Sequence, residues 1–236
     1  MTQRILVINP NSSQRVTDAI SVAVAPLRLQ GGPAVDCICL PDGPAGIETQ
    51  DHVDHAGRLV ARAVAEHAQA ADAFVVACFS DPGLHAAREA TTKPVMGIAE
   101  SGLLMAMALG NHIGIISILA TSIARHWRYV RAMGIESRVA ADLPVGLGVA
   151  QLADEATTFA RMREVGRALI EAHGADVLVM GCAGMARYRG ALEQELGRPV
   201  VDPSQAAVGM ALTALRFGLA ASAARPARPR VAAAGE

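Results

Sequence analysis

The chain is poor in aromatic residues, 3% of 236, and has only four cysteines. Four thiols in a chain of this length do not build a disulfide framework. Net charge is −1 and no basic run interleaves with aromatics, which argues against a nucleic-acid partner. No strand pattern is followed by a G-x-G-x-x-G or Walker sequence, so no dinucleotide cofactor is indicated. Met1-Thr2-Gln3-Arg4 runs straight into a strand pattern, without the order of charge, apolar stretch and small residues of a secretory leader. The apolar stretch Gly102 to Leu119 is interrupted by Asn111 and His112, and reads as a buried helix followed by a core strand, not a membrane span. A cytoplasmic location with no membrane partner is expected. Metal-site patterns are also missing. Cys37 and Cys39 share one face of a strand, but no second cysteine pair or His-x-x-x-His accompanies them, and core packing is expected. Asp51-His52-Val53-Asp54-His55 reads as an exposed, acid-capped helix start. No metal and no cofactor are expected.

What is present is 52% hydrophobic residue, enough for a substantial core. Short apolar runs read as parallel strands buried on both faces: Ile5–Ile8, Val35–Leu40, Phe74–Ala77, Val95–Ile98, Ile113–Ile116, Val177–Met180 and Pro199–Val201. Amphipathic segments of helix length lie between most of them, near Ser13–Leu29, His52–Ala70, Pro82–Thr91, Ser122–Met133, Ala156–His173 and Arg189–Leu196. Such alternation predicts βαβ units in doubly wound parallel sheets.

The pattern repeats. Cys78 follows Ile5 at nearly the separation at which Cys182 follows Ile113, and a Pro-Val strand follows each cysteine at a similar offset. The chain therefore predicts two similar α/β lobes related by pseudo-two-fold symmetry, with the active site in the cleft between them. The first lobe is expected over 1–98 and the second over 99–204. A helix over 205–219 is expected to return to the first lobe, and 220–236 to form a disordered tail.

Ligands of open α/β sheets bind beyond the carboxyl ends of the strands. Cys78 and Cys182 lie there, each before a predicted helix whose free N–H groups favour a thiolate. The N–H groups of Phe79, Ser80, Ala183 and Gly184 are placed to hold a developing enolate oxygen. One thiolate and one thiol on opposite faces would remove and return a proton without a cofactor, titrating as a coupled pair. Inert burial of both cysteines is the competing interpretation.

Four segments now bear comparison with known families: Asn9-Pro10-Asn11-Ser12-Ser13, Ala77-Cys78-Phe79-Ser80-Asp81-Pro82-Gly83-Leu84, Pro94 to Glu100, and Gly181-Cys182-Ala183-Gly184-Met185-Ala186 with Pro199 to Asp202. They closely resemble the hydantoin racemase family of the aspartate/glutamate racemase superfamily, and the resemblance runs from about Ile5 to Leu219. It implies cofactor-independent racemisation of 5-substituted hydantoins, or of allantoin in close relatives, with Cys78 and Cys182 as the acid/base pair. It also favours a substrate role for Asn11. Family members often end the first strand of the second lobe with Thr-Thr, which helps to bind substrate; here Ser117 and Ile118 stand there, which bears on the substrate more than on the reaction type.

Asn11 and Ser12 either bind a substrate carbonyl or cap the following helix. Asn9 either contacts substrate or makes the loop's own hydrogen bonds. Asp81 is expected to cap the helix after Cys78, and His112 and His126 to be structural. Glu100 and Asp202 are expected to anchor loops at the cleft. Relatives are often oligomers, so a homo-oligomer is expected, with a small molecule as the other partner. Amino-acid racemisation and maleate cis–trans isomerisation are competing activities, and arylmalonate decarboxylation fits two cysteines less well. A non-catalytic small-molecule sensor is the competitor from outside enzymology.

Overall fold

The computed structural model describes residues 2–220. The expected tail, 220–236, therefore lies outside the described residues apart from Ala220. The first lobe contains β1 (Arg4–Asn9), α1 (Gln14–Ala23), β2 (Ala34–Cys39), α2 (Gln50–His67), β3 (Ala73–Val76), α3 (Leu84–Ala90) and β4 (Val95–Gly97). After α4 (Ile98–Leu109), the second contains β5 (Ile113–Ser117), α5 (Ala120–Ala132), β6 (Val139–Pro144), α6 (Glu155–Glu171), β7 (Val177–Met180), a 3₁₀ turn (Ala183–Tyr188), α7 (Arg189–Leu196) and β8 (Val200–Val201). The described chain ends with α8 (Pro203–Arg216).

Two parallel four-stranded sheets result, in the orders β2-β1-β3-β4 and β6-β5-β7-β8. The α/β class and the two-lobed architecture are as the alternation predicts. Alternate residues of the central strands feed different cores. Ile5, Val7, Ala73 and Val75 face one side of the first sheet, while Leu6, Ile8, Phe74 and Val76 face the other. That two-sided burial explains the unbroken apolar runs, at roughly 1.5–3 kcal/mol for each large side chain withdrawn from water.

β6 is absent from the apolar runs, because Val139-Ala140-Ala141-Asp142-Leu143-Pro144 puts a carboxylate in mid-strand. Asp142 is nonetheless buried, and partners from other elements satisfy it. The N-terminal half of α4 is buried against α8 and the second sheet, and α8 packs on β1, β3 and β4 of the first. Gly102 of α4 lets Pro203 approach: an added Cβ would lie 2.8 Å from the proline ring.

Candidate active site

In each sheet the chain leaves the first strand in opposite directions to reach its two neighbours, and a crevice opens at the carboxyl ends of that strand pair. Asn9 ends β1 and Cys78 lies just beyond β3; Ser117 ends β5 and Cys182 lies just beyond β7. Both crevices contribute to one narrow cavity of about 40 Å³. Of the expected site residues, Cys78, Cys182, Asn11, Phe79, Ser80, Ile118, Ala183 and Gly184 line it.

Asn9, Ser12 and Ser117 do not line it. Asn9 is buried and its amide donates to Asn11 Oδ1 (2.8 Å), Ser13 O (3.2 Å) and Thr17 Oγ1 (3.0 Å), so it holds the loop together. Ser12 donates its N–H to Pro44 O, and the cap of α1 is Ser13, not Ser12. Asn11 Oδ1 is occupied by Asn9 and Ser13 N, which leaves the Asn11 amide N–H groups to the cleft. That orientation suits a carbonyl oxygen.

Ser117 is fully buried, and its hydroxyl donates to Asp142 Oδ1. His126 Nδ1 lies 2.8 Å from Asp142 Oδ2 and 3.1 Å from Ser117 Oγ, within hydrogen-bond reach of both. The expectation that Ser117 touches substrate is thus corrected: the strand turns it away from the cleft, toward β6 and α5. His126 departs from expectation in the other direction. It lines the cavity, packs edge-on against Phe79 with ring centroids 5.2 Å apart, and has the carboxylate partner that orients a functional imidazole.

Burial pushes the Cys78 thiol up to about 12, against a hydrogen bond from Ser80 N–H, with Cys182 and Asp81 raising it further and Arg125 opposing. Burial likewise raises Cys182 to about 11, against a hydrogen bond from Gly184 N–H, with Glu48 and Asp202 adding to the rise. Each sulfur opens onto the cleft yet is packed closely by protein, so desolvation outweighs the one N–H each receives. The expected helix-terminus activation is absent at Cys78, because α3 begins only at Leu84. Cys182 precedes a 3₁₀ turn, not an α-helix.

Asp81 is a cap, but of α4 and not of the helix after Cys78. Its carboxylate accepts from Ala99 N (3.0 Å), Glu100 N (2.9 Å) and Tyr129 Oη (2.9 Å). Asp202 caps α8 through Ser204 N (2.7 Å) and Gln205 N (3.0 Å), and Glu100 is paired with Arg88. Cys37 and Cys39 are half-buried on β2, and Cys37 packs against the core as expected. His55 contacts Asp42 O, His52 Nδ1 accepts from Glu48 N, and among the described residues no cluster could hold a metal. Nor is any described helix long and apolar enough to cross a membrane.

Val16, Ile47, Ser122, Arg125, His126 and Val149 complete most of the lining and were not read from sequence. Ser122, Arg125, His126 and Tyr129 recur at helical spacing on α5, a polar face that is the one signal available.

Two similar parallel α/β lobes meeting at one cleft place the chain among two-lobed α/β enzymes. The sequence model of the Asp/Glu/hydantoin racemase family matches residues 5–211. A hydantoin racemase of Paenarthrobacter aurescens is 35% identical over 218 residues, covering 91% of this chain and 92% of that protein. One of Rhizobium meliloti is 35% identical over 231 residues, 96% of this chain and 95% of its own. Allantoin racemase from Klebsiella pneumoniae superposes with a TM-score of 0.89 at 32% identity, covering 94% of this chain and 91% of that one. The chain belongs to the Asp/Glu/hydantoin racemase family, and it is an isomerase.

Proposed function

We propose that the protein racemises 5-substituted hydantoins by a two-thiol mechanism without a cofactor. The observation that carries this is the presence of Cys78 and Cys182, one from each lobe, in the lining of a single cleft. One cysteine, as thiolate, takes the proton from C5 of the ring. The C5–H electron pair moves into the ring as an enolate, with charge on the adjacent carbonyl oxygen. The other cysteine, as thiol, returns a proton to the opposite face and is left as the thiolate. Asn11 and the backbone N–H groups beyond each cysteine are the donors for the polarised carbonyls. The likeness to allantoin racemase supports allantoin as a second substrate, since it is itself a 5-substituted hydantoin.

Deuterium exchange from solvent into each enantiomer tests the mechanism. The wild-type protein is expected to exchange and racemise both hands. Cys78→Ser and Cys182→Ser should each abolish racemisation while retaining exchange of at most one hand. Full racemisation by either variant would sink the two-thiol reading. A covalent adduct trapped on one cysteine would instead favour nucleophilic isomerisation.

A further inference from the structure

Arg125 is a half-buried cation beside the reacting groups that has only neutral partners among the described residues. Its guanidinium donates to Ser80 Oγ (3.1 Å), Ser122 Oγ (3.2 Å) and Thr121 O (3.5 Å). A guanidinium withdrawn from water without a carboxylate is poorly compensated, and its planar fork matches a carboxylate in two bonds. The neighbouring His126 is 5% exposed, and Asp142 and Ser117 occupy only its Nδ1. Nε2 makes no hydrogen bond to the described protein.

These side chains lie between two spaces. A second cavity of about 260 Å³ shares Phe79, Ser80, Arg125 and His126 with the cysteine cleft and extends between α2 and α5. Arg128 also lines it, held to Gln50 Oε1 at 2.7 Å, and no carboxylate does. The cavity is thus walled by two guanidiniums and an imidazole, and it abuts the cysteine cleft across Phe79, Ser80, Arg125 and His126.

We infer that this cavity is a subsite for an anionic group on the C5 substituent, so that the preferred substrates are hydantoins whose side chain ends in a carboxylate. The inference rests on the hydantoin reading above for the ring, and on Arg125, Arg128 and His126 for the side chain. Arg125 grips the carboxylate in two bonds, and Arg128 contributes charge.

The test compares 5-(2-carboxyethyl)hydantoin with 5-propylhydantoin in wild type, Arg125→Gln and Arg125→Lys. Wild type should favour the acid by about ten-fold or more in kcat/KM, the range of a hydrogen bond to a charged group. Arg125→Gln should lose that preference, chiefly through KM, and Arg125→Lys should keep part of it. No preference in wild type, or an equal loss on both substrates in Arg125→Gln, overturns the inference; equal loss would assign the cation to the Cys78 thiolate. Calorimetric binding to Cys182→Ser separates this from the ring chemistry. Tighter binding of the acid that depends on Arg125, with neither compound racemised by wild type, keeps the subsite and discards the hydantoin racemase reading.

Discussion

Cys78 and Cys182 share a cleft but not an environment. Cys78 has Asp81 and Arg125 near it, whose effects oppose each other, whereas Cys182 has the carboxylates of Glu48 and Asp202. Burial dominates both, so each is a neutral thiol at pH 7 and becomes a thiolate only as pH rises. Alkylation by iodoacetamide, followed by mass spectrometry, should therefore be slow at neutral pH for both cysteines and quicken as pH rises. Rapid labelling of either at neutral pH would contradict the raised thiols. Glu48→Gln keeps an acceptor for Val149 N (2.9 Å) but removes the charge, so labelling of Cys182 should shift to lower pH in that variant. The same ionisations predict that kcat/KM rises with pH from neutrality as the first thiol ionises, and falls once the second does.

Among the secondary elements, the turn after Cys78 is tied to the start of α4 by Asp81, a non-glycine residue at φ 41°. Gly97 makes room for it, since a Cβ there would lie 2.3 Å from the carboxyl. Burial raises Asp81 to about 7 despite its three donors. Its folded value lies above the unfolded one of about 4, so between those values the native state binds the proton more tightly. The stability contributed is present at acid pH and is lost as pH rises toward and through about 7. Asp81→Asn, uncharged at every pH, should flatten that fall. Urea titrations at several pH values check it, and parallel pH profiles for the two proteins would refute it. Asp81→Ala should lower stability throughout, by about 0.5–2 kcal/mol for the lost cap, with more for an unpaired Tyr129 hydroxyl.

At the scale of the whole molecule the lobes are interleaved. α4 leaves the first lobe to pack on the second sheet, and α8 leaves the second to pack on the first. Thr121 Oγ1 to Glu48 O (3.2 Å) and Arg128 to Gln50 (2.7 Å) add polar ties across the divide. The first sheet relies on α8 from beyond the second lobe, and α4 joins the two lobes, so a single cooperative unfolding transition is expected. Trp127 fluorescence, far-UV circular dichroism and hydrogen exchange in each lobe should report one midpoint; separate transitions for 1–98 and 99–204 would show independent lobes. The cysteine cleft, at about 40 Å³, is far smaller than an ordinary ligand pocket.

The sequence by itself determined the strands that are buried on both faces, the two-fold repeat, and the strand ends at which Cys78 and Cys182 meet. Those features are local, set by apolar runs of strand length and by crossover connections that bring parallel strands together. Tertiary structure decided the rest. Ser117 was legible as a strand-end hydroxyl, but its direction depended on Asp142 in a strand whose carboxylate hid it from any apolar pattern. His126 had no visible partner because Ser117 and Asp142, nine and sixteen residues away on β5 and β6, are brought to it only by the pairing of those strands and the packing of α5. The thiol environments were misjudged for the same reason. A helix terminus can be anticipated from nearby residues, whereas desolvation depends on how closely the two lobes pack around each sulfur, and here it outweighs the single N–H that each sulfur receives.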